Sequence, residues 1–161
     1  MLPPVDLSKY QHTDSVTIAA SPEAVYDLVA DITRMGEWSP VCTGGTWKDE
    51  ARSTFLGTNE NGDLKWETTC RVDVAERGSE FTFVNTGFAA DRDLVKWSYT
   101  FAPAGDGCEV TERWEVLPAY PDFIEGLLQG TSAETYLDGV VEPTRAGMAD
   151  TLAHLKAAAE G

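Results

Sequence analysis

The stretch SVTIAASPEAVYDLVADITRMGEWSP, residues 15–40, decides the fold of this chain. Alternating apolar and polar residues at its start predict a strand over residues 14–20. Ser21 and Pro22 follow as a helix-opening pair, because serine caps free backbone N–H groups and proline fits the first helical position. A helix over 22–31 comes next, with apolar residues at helical spacing: Val25, Leu28, Val29 and Ile32. A strand, a capped helix and a Trp-containing turn together predict a sheet that holds helices around a cavity.

The composition limits the classes of partner. The chain has 161 residues, of which 42% are hydrophobic, and this suits one domain with a substantial core. Its formal net charge of −15 with only 12 lysines and arginines argues against nucleic-acid binding, which needs clustered basic side chains. No segment reaches the roughly 18 apolar residues of a membrane helix, so we expect no membrane insertion.

The cysteines and the N-terminus predict a cytoplasmic protein. Cys42, Cys70 and Cys108 are odd in number and not closely spaced, which is typical of reduced thiols. The N-terminal residues lack the basic start and apolar run of a secretory signal. We expect residues 1–13 to form a loosely held arm and residues 14–161 to form a single domain.

The remaining sequence predicts six more strands and a long helix. Apolar alternation between turn residues places the strands at 41–48, 53–59, 63–74, 80–85, 94–102 and 108–117. Asn61-Gly62 is a strong hairpin signal, because both residues tolerate positive φ. Apolar residues every three or four positions from Leu137 to Ala159 predict a helix that starts or kinks at Pro143. The predicted fold class is α+β.

This order of elements, with SPEAVYDLVADITRMGEWSP and the later NGDLKWETTCRV, resembles the START-like superfamily, also called Bet v 1-like or SRPBCC. Within it, the likeness is to bacterial polyketide cyclase/dehydrase-type proteins. The resemblance implies a helix-grip fold, with a seven-stranded antiparallel sheet curved around a long C-terminal helix and two short helices after the first strand. It also implies an apolar cavity between sheet and helix. Two departures are the connection 48–55, which lacks the usual glycine before the third strand, and the insert 118–136.

Period-two alternation along the strands nominates the side chains that face this cavity. The inward face is aromatic, and together with the helices it gives the candidate ligand-binding residues Trp38, Trp66, Thr68, Cys70, Phe81, Phe83, Trp97, Phe101, Trp114, Phe123, Leu127, Met148 and Leu152. Few polar residues share this face. The candidate catalytic residues are Glu112, Tyr99 and Asn85.

Glu112 is the strongest catalytic candidate, because burial among apolar residues raises the pKa of a carboxyl group and suits it to general acid or base catalysis. Tyr99 and Asn85 would donate hydrogen bonds to a ligand oxygen. Structural roles are the alternative. Glu112 would then face outward or pair with Arg113 or Arg71, and the other two would satisfy nearby backbone groups.

No cofactor and no metal are expected. The two histidines and three scattered cysteines have no metal-ligand spacing, and no glycine-rich phosphate loop follows a strand. The favoured function is binding of a small hydrophobic ligand, such as a polyketide, lipid or aromatic metabolite, by a monomer or homodimer. The alternatives are a polyketide cyclase/dehydrase-type enzyme and a protein-interaction module like the chaperone regulators of the same superfamily.

Overall fold

The computed structural model describes residues 4–161, which form one seven-stranded sheet and three α-helices. The strands are β1 (Gln11–Ile18), β2 (Cys42–Trp47), β3 (Thr54–Asn61), β4 (Leu64–Glu76), β5 (Glu80–Asn85), β6 (Val95–Ala104) and β7 (Gly107–Val116). The α-helices are α1 (Pro22–Ala30), α2 (Tyr120–Leu127) and α3 (Ala133–Glu160), and 3-10 helices span Leu7–Lys9 and Ile32–Glu37. The predicted α+β class is confirmed.

The sheet has the order β1-β7-β6-β5-β4-β3-β2, and every neighbouring pair is antiparallel. The first strand therefore pairs with the last, with Ile18 opposite Cys108. Register shifts between Cys42 and Gly44 and between Val72 and Val74 bend the strands locally. The result is the curved sheet with a long C-terminal helix that the resemblance implied.

Local chemistry explains where the elements begin. The Ser21 side chain accepts a hydrogen bond from the Ala24 backbone N–H at 3.1 Å, as predicted for the N-cap of α1. Gly62 turns β3 into β4 with φ of 63°, the left-handed region that glycine adopts without strain. Gly36 allows the second short helix to lie against β2, since a Cβ there would be 2.2 Å from the Thr43 carbonyl oxygen.

The N-terminal segment differs from the prediction. β1 begins at Gln11, within the segment 1–13 that the sequence predicted to be a loose arm. Tyr10 is fully buried, and its backbone carbonyl accepts a hydrogen bond from the Val116 N–H at 3.0 Å. Pairing with β7 and burial of this ring therefore hold the segment in place. Residues 1–3 of the predicted arm lie outside the described residues.

The last helix also begins earlier than predicted. Ser132 caps α3, because its side chain accepts a hydrogen bond from the Thr135 N–H at 3.2 Å. Pro143 lies inside the helix and is exposed, so the prediction that the helix starts at this residue is wrong. Burial of Ala133 and Leu137 stabilises the turns before it.

The connection between β2 and β3 forms a hairpin without the usual glycine. Trp47 lies opposite Phe55, and the turn between them places Arg52 in the left-handed region with φ of 56°. A non-glycine residue pays a conformational cost there, so the surrounding contacts must hold Arg52 in place.

Two core clusters lie between the sheet and the helices. The first core cluster joins the short helices and the C-terminal half of α3 to the sheet and includes Tyr26, Trp38, Phe55, Cys70, Phe81, Phe83, Tyr99, Phe101, Leu152 and Leu155. The second core cluster joins the N-terminal half of α3 to the sheet and includes Tyr10, Leu94, Val95, Trp114, Val116, Leu137 and Met148. Among the described residues, no helix combines the length and apolar character needed to cross a membrane.

Candidate functional site

A tyrosine and a glutamate form a buried pair on the central strands. The register places Tyr99 of β6 directly opposite Glu112 of β7. The Tyr99 hydroxyl donates a hydrogen bond to Glu112 Oε2 at 2.7 Å. Glu112 is only 2% exposed, and the buried Val110 and Trp114 flank it on the same face of β7. Glu112 therefore faces the interior, and its hydrogen-bond partner is Tyr99.

The low polarity of the interior controls the ionisation of this pair. Burial raises the pKa of Glu112 to about 7, and the nearby charge of Asp14 acts in the same direction. The Tyr99 hydrogen bond opposes this shift but is the weaker influence. Burial also holds the pKa of Tyr99 well above its ordinary value, and the adjacent Glu112 charge contributes. Tyr99 is therefore a neutral hydrogen-bond donor, while Glu112 titrates near neutral pH.

The second carboxyl oxygen of Glu112 is unsatisfied. Glu112 Oε1 is buried and has no hydrogen-bond partner within residues 4–161. An unpaired buried polar atom costs on the order of 1–3 kcal/mol. When protonated, this carboxyl group can donate a hydrogen bond, and when ionised it can accept one. Its chemistry suits a carbonyl or hydroxyl oxygen on a ligand.

Part of the inward face of the sheet is incompletely covered. Trp66 and Thr68 are half-buried, although they share one face of β4 with the buried Cys70. Trp97 is also half-buried and contacts both core clusters. Aromatic walls with a few polar groups are typical of sites for small molecules.

The structure brings most of the predicted ligand-binding residues into the interior. Those in the first core cluster are Trp38, Cys70, Phe81, Phe83, Phe101 and Leu152. Trp114 and Met148 lie in the second core cluster, and Phe123 packs against it while half-buried. Leu127 lies apart from this set, because its side chain on α2 is 51% exposed.

Asn85 lies on the same sheet face but is engaged locally. It sits opposite Cys70 on β4, and its side-chain oxygen accepts a hydrogen bond from the Gly87 N–H at 2.9 Å. That bond supports the loop after β5. The amide nitrogen of this half-buried side chain is the group that would serve a ligand.

The buried cysteine on this face is unsuited to nucleophilic chemistry. Burial raises the pKa of the Cys70 thiol to about 12, so the reactive thiolate is rare at neutral pH. Cys70 packs as a small apolar side chain in the first core cluster. Within residues 4–161, no three His, Cys, Asp or Glu side chains are grouped to hold a metal ion.

The residues beside α1 were not predicted from the sequence. Tyr26 is buried there, and it contacts Phe81 edge to face with ring centroids 6.1 Å apart. Tyr26 lies three residues before the buried Val29 on α1, so helical spacing would have placed it on the inward face. Trp47 lies at the end of β2 and contacts Phe55, with ring centroids 5.6 Å apart. Its position beside Tyr26 depends on how β2 folds back, which no local pattern indicates.

Comparison with protein families gives a match over almost the whole chain. The family described as polyketide cyclase / dehydrase and lipid transport matches residues 10–160. No curated protein matches the chain.

Solved structures show the same fold. The solution structure of the Polyketide_cyc-like protein Cgl2372 from Corynebacterium glutamicum is 34% identical, with a TM-score of 0.65, and the match covers 91% of this chain and 89% of that one. The di-domain ARO/CYC protein StfQ from the steffimycin biosynthetic pathway is 16% identical, with a TM-score of 0.71, and the match covers 94% of this chain and 50% of that one. A START superfamily protein from Mycobacterium smegmatis is 16% identical, with a TM-score of 0.64 and coverage of 93% and 97%.

Proposed function

Because this chain belongs to the polyketide cyclase / dehydrase and lipid transport family, we propose that it binds a small hydrophobic molecule against the inward face of its sheet. The observation that carries this proposal is the unsatisfied Oε1 atom of Glu112 in an apolar interior. A ligand oxygen bound there would complete the hydrogen bonding of the carboxyl group. The half-buried Trp97, two residues from Tyr99 on the same face of β6 and opposite Trp114, would contact the apolar body of the ligand.

The pair suggests which ligands bind best. A flat or elongated apolar molecule with a carbonyl or hydroxyl group would combine burial of apolar surface with a hydrogen bond to Glu112. Polyketide-like and aromatic metabolites have this character. All three cysteines are free, which supports the cytoplasmic location that we propose.

Binding of two matched probes tests this proposal. We expect the neutral ketone 9-fluorenone to bind more tightly than fluorene, which has the same rings without the oxygen. In Glu112→Leu, the preference for fluorenone, measured as the ratio of the two dissociation constants, should fall about ten-fold, while fluorene still binds. The reason is that leucine keeps the apolar volume and removes the hydrogen bond. Dissociation constants from fluorescence titration at pH 6 give the ratio.

Glu109→Leu is the matched control, since Glu109 lies on the same strand with its side chain exposed. It should leave both affinities unchanged. An unchanged fluorenone-to-fluorene ratio in Glu112→Leu would contradict a ligand contact at Glu112.

A second candidate is a cyclase or dehydrase reaction on a ligand in the same place. The observation that favours it is the pKa of about 7 for Glu112, which suits proton transfer at neutral pH. Glu112 would exchange a proton with the substrate, and Tyr99 would hold the carboxyl group and stabilise a developing negative charge on oxygen. A turnover rate that titrates near pH 7 in the wild type and is lost in Glu112→Gln, with ligand affinity retained, would support this reaction over simple binding.

A further inference from the structure

A pocket lies between α1 and the turn that joins β2 to β3. Its volume is about 550 Å³, within the usual range for small-molecule sites. Tyr26, Trp47 and Phe81 supply aromatic walls. Neither Tyr99 nor Glu112 is among the residues that line it. The pocket is therefore separate from the buried pair.

The two carboxylates at this pocket already have partners. Asp27 accepts two hydrogen bonds from Arg77, at 2.9 and 2.8 Å. Asp31 accepts hydrogen bonds from the backbone N–H and the hydroxyl of Thr33, at 3.3 and 2.6 Å. Arg77 therefore balances the charge of Asp27, whereas the Thr33 hydrogen bonds hold the Asp31 carboxylate in place without neutralising it.

Arg52 is the charged group at this pocket whose donors are free. It forms no ion pair with any residue of the described range 4–161. Its guanidinium carbon lies 5.7 Å from the centroid of the Trp47 ring. A planar guanidinium on an aromatic face keeps its N–H donors available for an acceptor.

The turn holds Arg52 in this position. Asp49 accepts hydrogen bonds from the backbone N–H groups of Ser53 and Thr54 at 3.0 and 3.1 Å. This arrangement keeps Arg52 at φ of 56°, where glycine would be less strained. A charged residue in a strained position at the edge of a pocket suggests that its side chain is used there.

We propose that this pocket binds an apolar, preferably aromatic, molecule that carries a carboxylate group. The half-buried ring of Trp47 contacts the apolar body, and the buried rings of Tyr26 and Phe81 form the floor of the pocket. The guanidinium of Arg52 pairs with the carboxylate, because its parallel N–H donors match the two carboxylate oxygens. Neither Tyr99 nor Glu112 contributes to this site, although Phe81 in its lining lies opposite Tyr99.

Titration with 2-naphthoate and its neutral analogue 2-naphthamide, followed by two-dimensional NMR of 15N-labelled protein, tests this proposal. With 2-naphthoate we expect shifts of the backbone amides of residues 26–31 and 47–52. Arg52→Gly should weaken 2-naphthoate binding roughly ten-fold or more, the scale of a charge-assisted pair. The same variant should leave binding of 2-naphthamide nearly unchanged.

Arg52→Gly also separates binding from folding. Glycine relieves the backbone strain at this position. This variant should therefore be at least as stable as the wild type, although its affinity for 2-naphthoate falls. Ala90→Gly is the matched control, because Ala90 has φ of 55° in another loop and does not line the pocket. It should bind 2-naphthoate normally. Equal affinity of Arg52→Gly and wild type, or shifts centred on Tyr99 and Glu112, would overturn the proposal.

Discussion

We expect replacement of Glu112 with glutamine to stabilise the folded protein above pH 7 and to have little effect at pH 4.5. The pKa of Glu112 rises from 4.5 to about 7 on folding, mainly through burial. Between these pH values the folded state holds a proton that the unfolded state releases, so the free energy of unfolding falls as pH rises. At about 1.4 kcal/mol per pKa unit, the wild type loses as much as about 3 kcal/mol that the neutral glutamine retains.

Urea denaturation at pH 4.5, 6 and 8 measures this difference. The gap between Glu112→Gln and wild type should widen with pH and level off above pH 7. Glu109→Gln, on the exposed side of the same strand, should show no such widening. A constant gap across the three pH values would mean that Glu112 ionises as freely in the folded as in the unfolded chain.

Truncating Tyr10 to alanine should destabilise the protein by about 3–5 kcal/mol, the range for removal of a large buried aromatic side chain. The ring is fully buried in the second core cluster with Trp114, Leu137 and Met148. Its hydroxyl donates a hydrogen bond to Asp138 of α3 at 2.6 Å. The loss would therefore loosen both the start of β1 and the N-terminal half of α3.

Tyr10→Phe separates the two contributions of this residue. It keeps the ring and removes only the hydrogen bond to Asp138, so we expect a loss of about 1 kcal/mol. Urea denaturation of both variants gives the comparison. A loss under 1 kcal/mol in Tyr10→Ala would restore the view that residues before Gln11 are loosely held.

The order of helices and strands follows from local sequence patterns. Ser21 and Pro22 favour the start of a helix, and here they are the N-cap and the first residue of α1. Apolar patterning between turn residues identified all seven strands, and the predicted limits of β5 match the observed limits. Boundaries were less accurate where distant contacts hold the chain. Tyr10 is ordered by β7 and α3, which follow a hundred or so residues later.

The candidate site was predictable only in part. Alternation placed Tyr99 and Glu112 on the inward face, because period two is a property of each strand alone. Their hydrogen bond depends on the register between β6 and β7, and the pKa of Glu112 depends on how completely the core covers it. The pocket beside α1 depends on tertiary structure even more, since it joins Tyr26, Trp47 and Arg52 from separate elements.

The sequence by itself therefore determined the order of the helices and strands and the apolar character of the inward face, because both depend on periodicity, capping and turn residues. The helix-grip arrangement of these elements was implied by the family resemblance. The tertiary structure decided which polar atoms meet and which stay unsatisfied. One carboxyl oxygen of Glu112 accepts a hydrogen bond from Tyr99, and the other has no partner in the described chain. Arg52 lies over Trp47 and has no ion-pair partner in the described chain. These outcomes depend on register and burial. Long-range geometry sets hydrogen bonding and desolvation, so no local pattern reveals them.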